Sequence, residues 1–193
     1  APSEAEAQAA YMVMKGDFYG LISQDTDSLL FGASKLIKNL TLSKRRKKIH
    51  SMGYKKVMPE IIDLAENLNL LGIDRDQLIV LGLLVGTDFN PGGIKGIGPK
   101  TGLKLLKKHG KDFETLFKEA EWDKFFDFSW KKVYDLLKNM PTTDSYNLVW
   151  QEVDKTKIRN ILIETHEFSK KRVNNALEEY FKKKKQKNLD EFF

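Results

Sequence analysis

The chain has 193 residues, 41% hydrophobic and 31% charged, with a formal net charge of +6. That is enough for one core, or one core with an appendage, in a soluble globular protein, and the excess of lysine and arginine points to an acidic partner, nucleic acid first. The absence of cysteine excludes disulfides and zinc-thiolate sites, and three scattered histidines (His50, His109, His166) speak against an imidazole-bound zinc. No apolar run reaches the roughly 18 residues of a membrane span and no signal peptide is visible, so an intracellular protein is expected.

Residues 1–15 read as a helix. Ser3 is placed as its N-cap with Glu6 in a capping-box spacing, and Gly16 stops it. Glu4 and Glu6 then have an ordinary use, as acidic groups that favour the helix N-terminus. Residues 17–23 read as a buried strand running into Gln24-Asp25-Thr26-Asp27-Ser28. A D-x-D loop at a strand end suits a hard divalent cation, which takes oxygen ligands. It equally suits a turn with helix-capping aspartates. A further short strand is expected over 35–40. The basic run Ser43–Ser51 reads as an exposed loop or hairpin tip, solvated or touching phosphate, with a return strand over 54–57.

Pro59 opens a predicted helix carrying Ile61, Ile62, Leu64, Ala65, Leu68 and Leu71 and closing at Gly72. Asp74 and Gln77 open the next, which is apolar nearly all round and therefore buried, and which ends at Gly86-Thr87-Asp88. An aspartate ending a buried helix needs a partner or a metal. Asn90–Gly98 is a glycine-rich loop that runs into a helix starting at Pro99 and stopping at Gly110. The helix N-terminus with Lys95, Lys100 and Lys104 forms an anion site, or else the loop is simply a tight interhelical turn. The spacing is not that of a nucleotide P-loop. Short helices follow over 113–120, 130–140, 158–165 and 169–184, with Ser169 as an N-cap. Phe125, Phe126 and Phe128 read as packing residues rather than a base-stacking platform. At the end, Leu189, Phe192 and Phe193 would line one side of a single tight turn, an aromatic plug for a partner or a lid on the chain's own core.

Together these motifs resemble the flap endonucleases, structure-specific 5′ nucleases of the XPG type, and most closely the archaeal ones. SEAEAQ carries a carboxylate pair, Glu4 and Glu6. SQDTDSLLFG carries a second, Asp25 and Asp27, and LVGTDFNPGG carries Asp88. GIKGIGPKT (93–101) matches the family's helix-hairpin-helix turn, and the last eight residues match its Q-x-x-L-x-x-F-F box. Gly102 stands where the family often has alanine.

The resemblance implies an α/β fold. It would be a mixed or mostly parallel sheet flanked by helices, a PIN-like nuclease core incomplete at its N-terminus, with a helix-hairpin-helix and a C-terminal helical region. It divides the chain into 1–90 (C-terminal half of the core), 91–182 (helix-hairpin-helix and helical region) and 183–193 (basic tail with a clamp box). The implied activity is removal of 5′ flaps from branched DNA, with 5′-3′ exonuclease action, by two-metal hydrolysis. Glu4, Glu6, Asp25, Asp27 and Asp88 would be the catalytic metal ligands for two Mg²⁺ ions, with Mn²⁺ as a substitute. Gly93, Lys95, Gly96, Gly98, Lys100, Thr101 and Lys104 would bind DNA. Carbonyls of Gly93, Ile94 and Ile97 would hold K⁺. Gln186, Leu189, Phe192 and Phe193 would dock on the replication sliding clamp (PCNA). The family's further aspartates, its active-site lysine and arginine and its arch would lie upstream of Ala1, so the chain is expected to be the C-terminal portion, inactive alone. A cytoplasmic, nucleoid-associated location follows for an archaeon, a nuclear one for a eukaryote. The competing reading is a non-catalytic DNA-binding and clamp-docking module.

Overall fold

The computed structural model describes residues 1–40, 45–47 and 54–184. Its contacts separate two compact units, Ala1–Ser145 and Tyr146–Phe193. The glycine-rich turn therefore lies in the same compact unit as the sheet.

The first unit begins with helix α1, Ala5–Met14. Its N-cap is Glu4, not Ser3, and Glu4 makes no side-chain capping bond. The expected capping box is therefore absent: Ser3 Oγ instead lies 3.4 Å from Met140 Sδ. Strand β1 is only Leu21–Ile22. The predicted strand is shortened because Asp17–Gly20 form a bend, where the Gly20 backbone runs against Lys35 and Ile37. Helix α2, Asp27–Leu30, follows directly.

Strand β2 (Lys35–Lys38) lies parallel to β1 and antiparallel to β5 (Glu60–Asp63), giving a small mixed sheet in the order β1-β2-β5. Residues 60–63 were expected to begin a helix. They pair with β2 instead, and the helix starts only where Asp63 caps it, its carboxylate accepting from the Glu66 N–H at 3.1 Å. Helix α3 then runs Leu64–Leu71 and stops at left-handed Gly72, as expected. Strands β3 (Arg45–Lys47) and β4 (Tyr54–Lys56) pair antiparallel, so part of the basic run is strand. Its tip lies outside the described residues, as do 185–193 with Gln186, Leu189, Phe192 and Phe193.

Helix α4 (Arg75–Val85) is the centre of the core. Asp74 and Gln77 form the predicted capping box, at 2.9 and 3.0 Å. Ile79, Val80, Leu83 and Leu84 are fully buried. Around α4 pack α2, α5 (Pro99–His109), which follows the glycine-rich turn, and α7 (Trp130–Lys138), with α6 (Phe113–Glu119) against α5. The aromatic stretch is packing, as expected. Trp122 is buried, donates to the Phe128 carbonyl at 2.6 Å and meets Phe117, Phe126 and Phe128, while Phe125 alone stays 42% exposed.

In the second unit α8 (Lys155–Arg159) is capped by Asp154, which accepts from Thr156 and Lys157, and widens into a π-helical turn over Asn160–Thr165. Helix α9 (Lys170–Lys184) buries Val173 and Leu177, and Arg159 Nε donates to Asn174 at 2.9 Å. Among the described residues no helix is long and apolar enough to cross a membrane.

One close approach decides how α4 ends. Gly93 has φ +58°, and a Cβ there would lie 2.3 Å from the Val85 carbonyl carbon and oxygen. Gly93→Ala should therefore cost on the order of 3 kcal/mol through overpacking and a left-handed alanine. Gly92→Ala, whose added Cβ meets nothing within 4 Å, pays only for its φ of +83°. Urea unfolding checks the order; equal midpoints would refute the close contact.

Candidate active site

Three separate segments bring carboxylates to the end of the sheet where β1 leaves it. Glu6 stands in the first turn of α1 and is half-buried. It is free of the capping role and instead accepts a short hydrogen bond from Ser23 Oγ. Ser23 Oγ also accepts from the Asp25 N–H at 3.0 Å, so one hydroxyl ties α1 to the D-x-D loop. The Asp25 carboxylate accepts from the Asp27 N–H at 3.0 Å, and Ser28 Oγ, fully buried, donates to the Asp25 carbonyl at 3.2 Å. Asp25 is thus partly a turn-former, as the ordinary reading of D-x-D holds. Asp27 opens α2. Asp88 is exposed, so the expectation that it is buried at the helix end fails: Gly86 turns the chain outward first.

Electrostatics joins these groups. Burial raises the Glu6 pKa; the Ser23 hydroxyl pulls it back, and the charges of Asp25, Glu4 and Asp88 push it up again. Burial likewise raises Asp27, reinforced by the charges of Asp25, Asp88 and Glu6, against the Asp88 N–H. The charges acting most strongly on both groups are all negative. Oxygen donors without a cationic side chain to balance them are the donor set that magnesium prefers. Glu6, Asp25, Asp27 and Asp88 are brought together; Glu4 joins only through Glu6. Among the described residues, no three of the acidic side chains close to the spacing that would hold an ion by themselves. The donor chemistry fits a divalent ion, and the cage is partial.

The joint behind Asp88 is polar and buried. Asn90 is fully buried; its Oδ1 accepts from Thr87 N–H and Oγ1 at 3.2 and 2.7 Å, and its Nδ2 donates to the Leu83 carbonyl at 2.7 Å. The Ile94 N–H donates to the Leu84 carbonyl at 2.9 Å. These bonds fix Asp88 and the glycine-rich turn to α4 at once. Beyond the turn Gly98 is the N-cap of α5 and Pro99 its first residue, as expected. Lys95, Gly96, Gly98, Lys100, Thr101 and Lys104 are exposed, and Gly93 and Ile97 half-buried. Among the described residues none of Lys95, Lys100 and Lys104 has an ion-pair partner, whereas Lys108, Lys111, Lys131 and Lys138 all do. The Ile94 carbonyl accepts from the Ile97 N–H at 3.0 Å, which closes the turn.

Ser23, Ser28, Thr87 and Asn90 were missed in the sequence. Their signal was local: hydroxyl and amide side chains two or three residues from an aspartate, where they bond backbone.

The family model for the XPG I-region matches residues 1–88. Flap endonuclease 1 of Thermofilum pendens is 47% identical over 197 residues, covering all of this chain and 56% of that protein. The chain is a homologue of archaeal flap endonuclease 1. It spans about half the length of the curated relatives it matches. Among solved structures, flap endonuclease-1 from Methanococcus jannaschii superposes with a TM-score of 0.74 at 36% identity, covering 92% of this chain and 50% of that one. The catalytic core of Rad2 in complex with DNA substrate gives 0.70 at 27%, covering 92% and 62%. The small mixed sheet with surrounding helices is thus part of a PIN-like nuclease core.

The raised pKa values have a consequence for stability. A carboxyl raised in the fold costs nothing below its ordinary pKa, where both states hold the proton, and costs stability as pH rises through the raised folded value. Asp27→Asn keeps the size and shape of the side chain but removes the charge. It should melt above the native chain at pH 7 without divalent ions, and the difference should vanish below about pH 4. Thermal melts across pH check this; a less stable variant at pH 7 would contradict it.

Proposed function

We propose that this chain is the part of a flap endonuclease that supplies Glu4, Glu6, Asp25, Asp27 and Asp88 to a two-magnesium site, with manganese as a substitute. The parent activity is structure-specific removal of 5′ flaps, with 5′-3′ exonuclease action, in replication and repair. The observation that carries it is the convergence of Glu6, Asp25, Asp27 and Asp88 from three segments, where the charges acting most strongly on Glu6 and Asp27 are those of the other carboxylates.

Magnesium held by these carboxylates would activate water for attack on the phosphodiester and offset charge on the leaving oxygen. The chain's own residues hold and orient. Ser23 fixes the Glu6 carboxylate, and Asn90 and Thr87 fix the segment that carries Asp88. The first-turn N–H groups of α5 lack intrahelical acceptors, and with Lys95, Lys100, Thr101 and Lys104 they would grip the duplex phosphates. Gly93, Gly96 and Gly98 let that backbone approach, and the carbonyls of Gly93, Ile94 and Ile97 would hold K⁺. Such contacts position without reading sequence, as recognition of a branched shape requires. The terminal box Gln186, Leu189, Phe192 and Phe193 would dock the enzyme on the sliding clamp (PCNA) at the archaeal nucleoid.

The alternative, a DNA-binding and clamp-docking module without catalysis, is favoured by one observation. No three acidic side chains among the described residues complete an ion site. Calorimetric magnesium titration separates the two. The nuclease reading expects saturable binding that Asp25→Ala with Asp27→Ala abolishes. It also expects Asp27→Ala, placed in a chain with the whole nuclease fold, to cut flap DNA on the order of 10³-fold more slowly while binding it nearly as well, since the metal contributes several kcal/mol of transition-state stabilisation. Native-rate cleavage by that variant would remove the assignment.

The tail has its own test. Phe192→Ala with Phe193→Ala should weaken clamp binding by at least a hundredfold in calorimetry, because buried aromatic anchors dominate such contacts. Unchanged affinity would sink the docking role.

A further inference from the structure

Helix α1 begins at the two carboxylates Glu4 and Glu6, yet its apolar packing does little to fix where it lies along its own axis. Its buried apolar side chains are Ala7, Ala10 and Val13, all small. Side chains of that size raise shallow ridges, so their burial holds the helix down without setting its rotation or its axial position. Directional bonds do that instead. Gln8, Tyr11 and Lys15 follow at three and four residues and so share one side of the helix. All three reach the segment 140–145, which has no helix or strand of its own. Gln8 Nε2 donates to the Thr143 carbonyl at 2.9 Å, and Gln8 Oε1 accepts from the Thr143 N–H at 2.8 Å. One nearly buried side chain thus takes both main-chain groups of Thr143. Asp144 accepts from Tyr11 Oη at 2.9 Å and from Lys15 Nζ at 2.6 Å. Thr143 Oγ1 accepts from the Ser145 N–H at 3.0 Å, and Pro141 restricts the backbone just before it, so the strap is itself stiffened.

We propose that Gln8 is a positioning residue for the carboxylate cluster: its paired bonds to Thr143 set the place of Glu4 and Glu6 relative to Asp25, Asp27 and Asp88. This rests on the two-magnesium reading above. Glu6 stands two residues before Gln8, and the Gln8 N–H donates to the Glu4 carbonyl at 3.2 Å, so a displacement of the backbone at Gln8 passes to both acids. Ser23 holds the Glu6 carboxylate from the front; Gln8 holds the backbone behind it. The strap follows α7, which packs on α4, and α4 also fixes Asp88. Carboxylates from opposite ends of the unit's sequence are thereby referred to one helix. Magnesium demands near-octahedral oxygens at about 2.1 Å, so a small slide of α1 is felt in affinity. Gln8 acts through α1 and not on the ion.

The test compares Gln8→Met, which keeps the length of the side chain and removes both bonds, with Asp112→Ala, which removes the cap of α6 instead. Calorimetry gives the magnesium affinity of this chain, and amide hydrogen exchange over residues 8–11 is followed without divalent ions. Gln8→Met should weaken magnesium binding about tenfold, as loss of a group that orients a metal ligand does, and should speed exchange there. Asp112→Ala should lower the melting temperature and leave both readings unchanged. Mere loss of folded chain lowers the binding stoichiometry, whereas displaced ligands change the dissociation constant. If Gln8→Met unfolds the chain, Tyr11→Phe, which removes only the hydroxyl of an exposed bond, should weaken binding in the same direction by less. Unchanged affinity in the folded variant, while Asp25→Ala with Asp27→Ala abolishes binding, would overturn the positioning role and leave the metal reading standing. Absence of saturable binding by the native chain would remove the metal reading and the positioning role with it.

Discussion

The rest of the site depends on how α4 ends. A buried apolar helix must hand its chain to the surface within a few residues, and its last carbonyls need donors. Here Asn90 donates to Leu83, Ile94 donates to Leu84, and glycines at 86 and 93 let the two backbones touch. Each polar group in that joint is buried, so leaving one unpaired would cost about 1–3 kcal/mol. The same few bonds place Asp88 on one side and the glycine-rich turn on the other. The carboxylate-bearing segment and the glycine-rich turn are thereby held to one reference, the core helix.

The second constraint is repulsion. Glu6, Asp25, Asp27 and Asp88 raise one another's energy, and burial adds to it for Glu6 and Asp27. The fold supplies hydrogen-bond donors in place of counter-charges: Ser23 for Glu6 and the Asp27 N–H for Asp25. These orient the carboxylates without neutralising them. The cluster also sits where β1 leaves the sheet, the carboxyl end of a parallel strand, which is where open α/β sheets gather ligands. Sites of this kind cost stability in the absence of the ion that balances them.

Much of this was legible in the sequence where one residue had one local role. Asp74 with Gln77, Gly72, Gly98-Pro99 and Gly110 marked helix ends correctly, because caps are chemistry within four residues. The errors came where a tertiary partner decided. Ile61 and Ile62 fit a helical period, but pairing with Ile37 and Leu36 made them strand, although Asp63 and Glu66 already spelled an N-cap. Ser3 fit a capping box, but the chain entered α1 one residue later and left Glu6 to Ser23. Asp88 was read as buried because α4 is, yet Gly86 redirects the chain. The carboxylates themselves were legible as motifs; their meeting place was not, since it depends on contacts between segments tens of residues apart.

The charge layout also bears on the proposed order of binding and chemistry. The acidic cluster repels a phosphodiester, and in a low-dielectric site that repulsion exceeds what water would leave. The lysines without acidic partners lie instead on the turn and first coils of α5, where backbone N–H groups point the same way. On the proposed nuclease reading, a duplex would be drawn first to the turn and admitted to the cluster only once cations had reversed its sign. Because both places are fixed to α4, holding the duplex at the turn limits where its backbone can meet the carboxylates. On that same reading, shape selectivity would reside in the fixed relation of two sites of opposite charge rather than in any contact to a base.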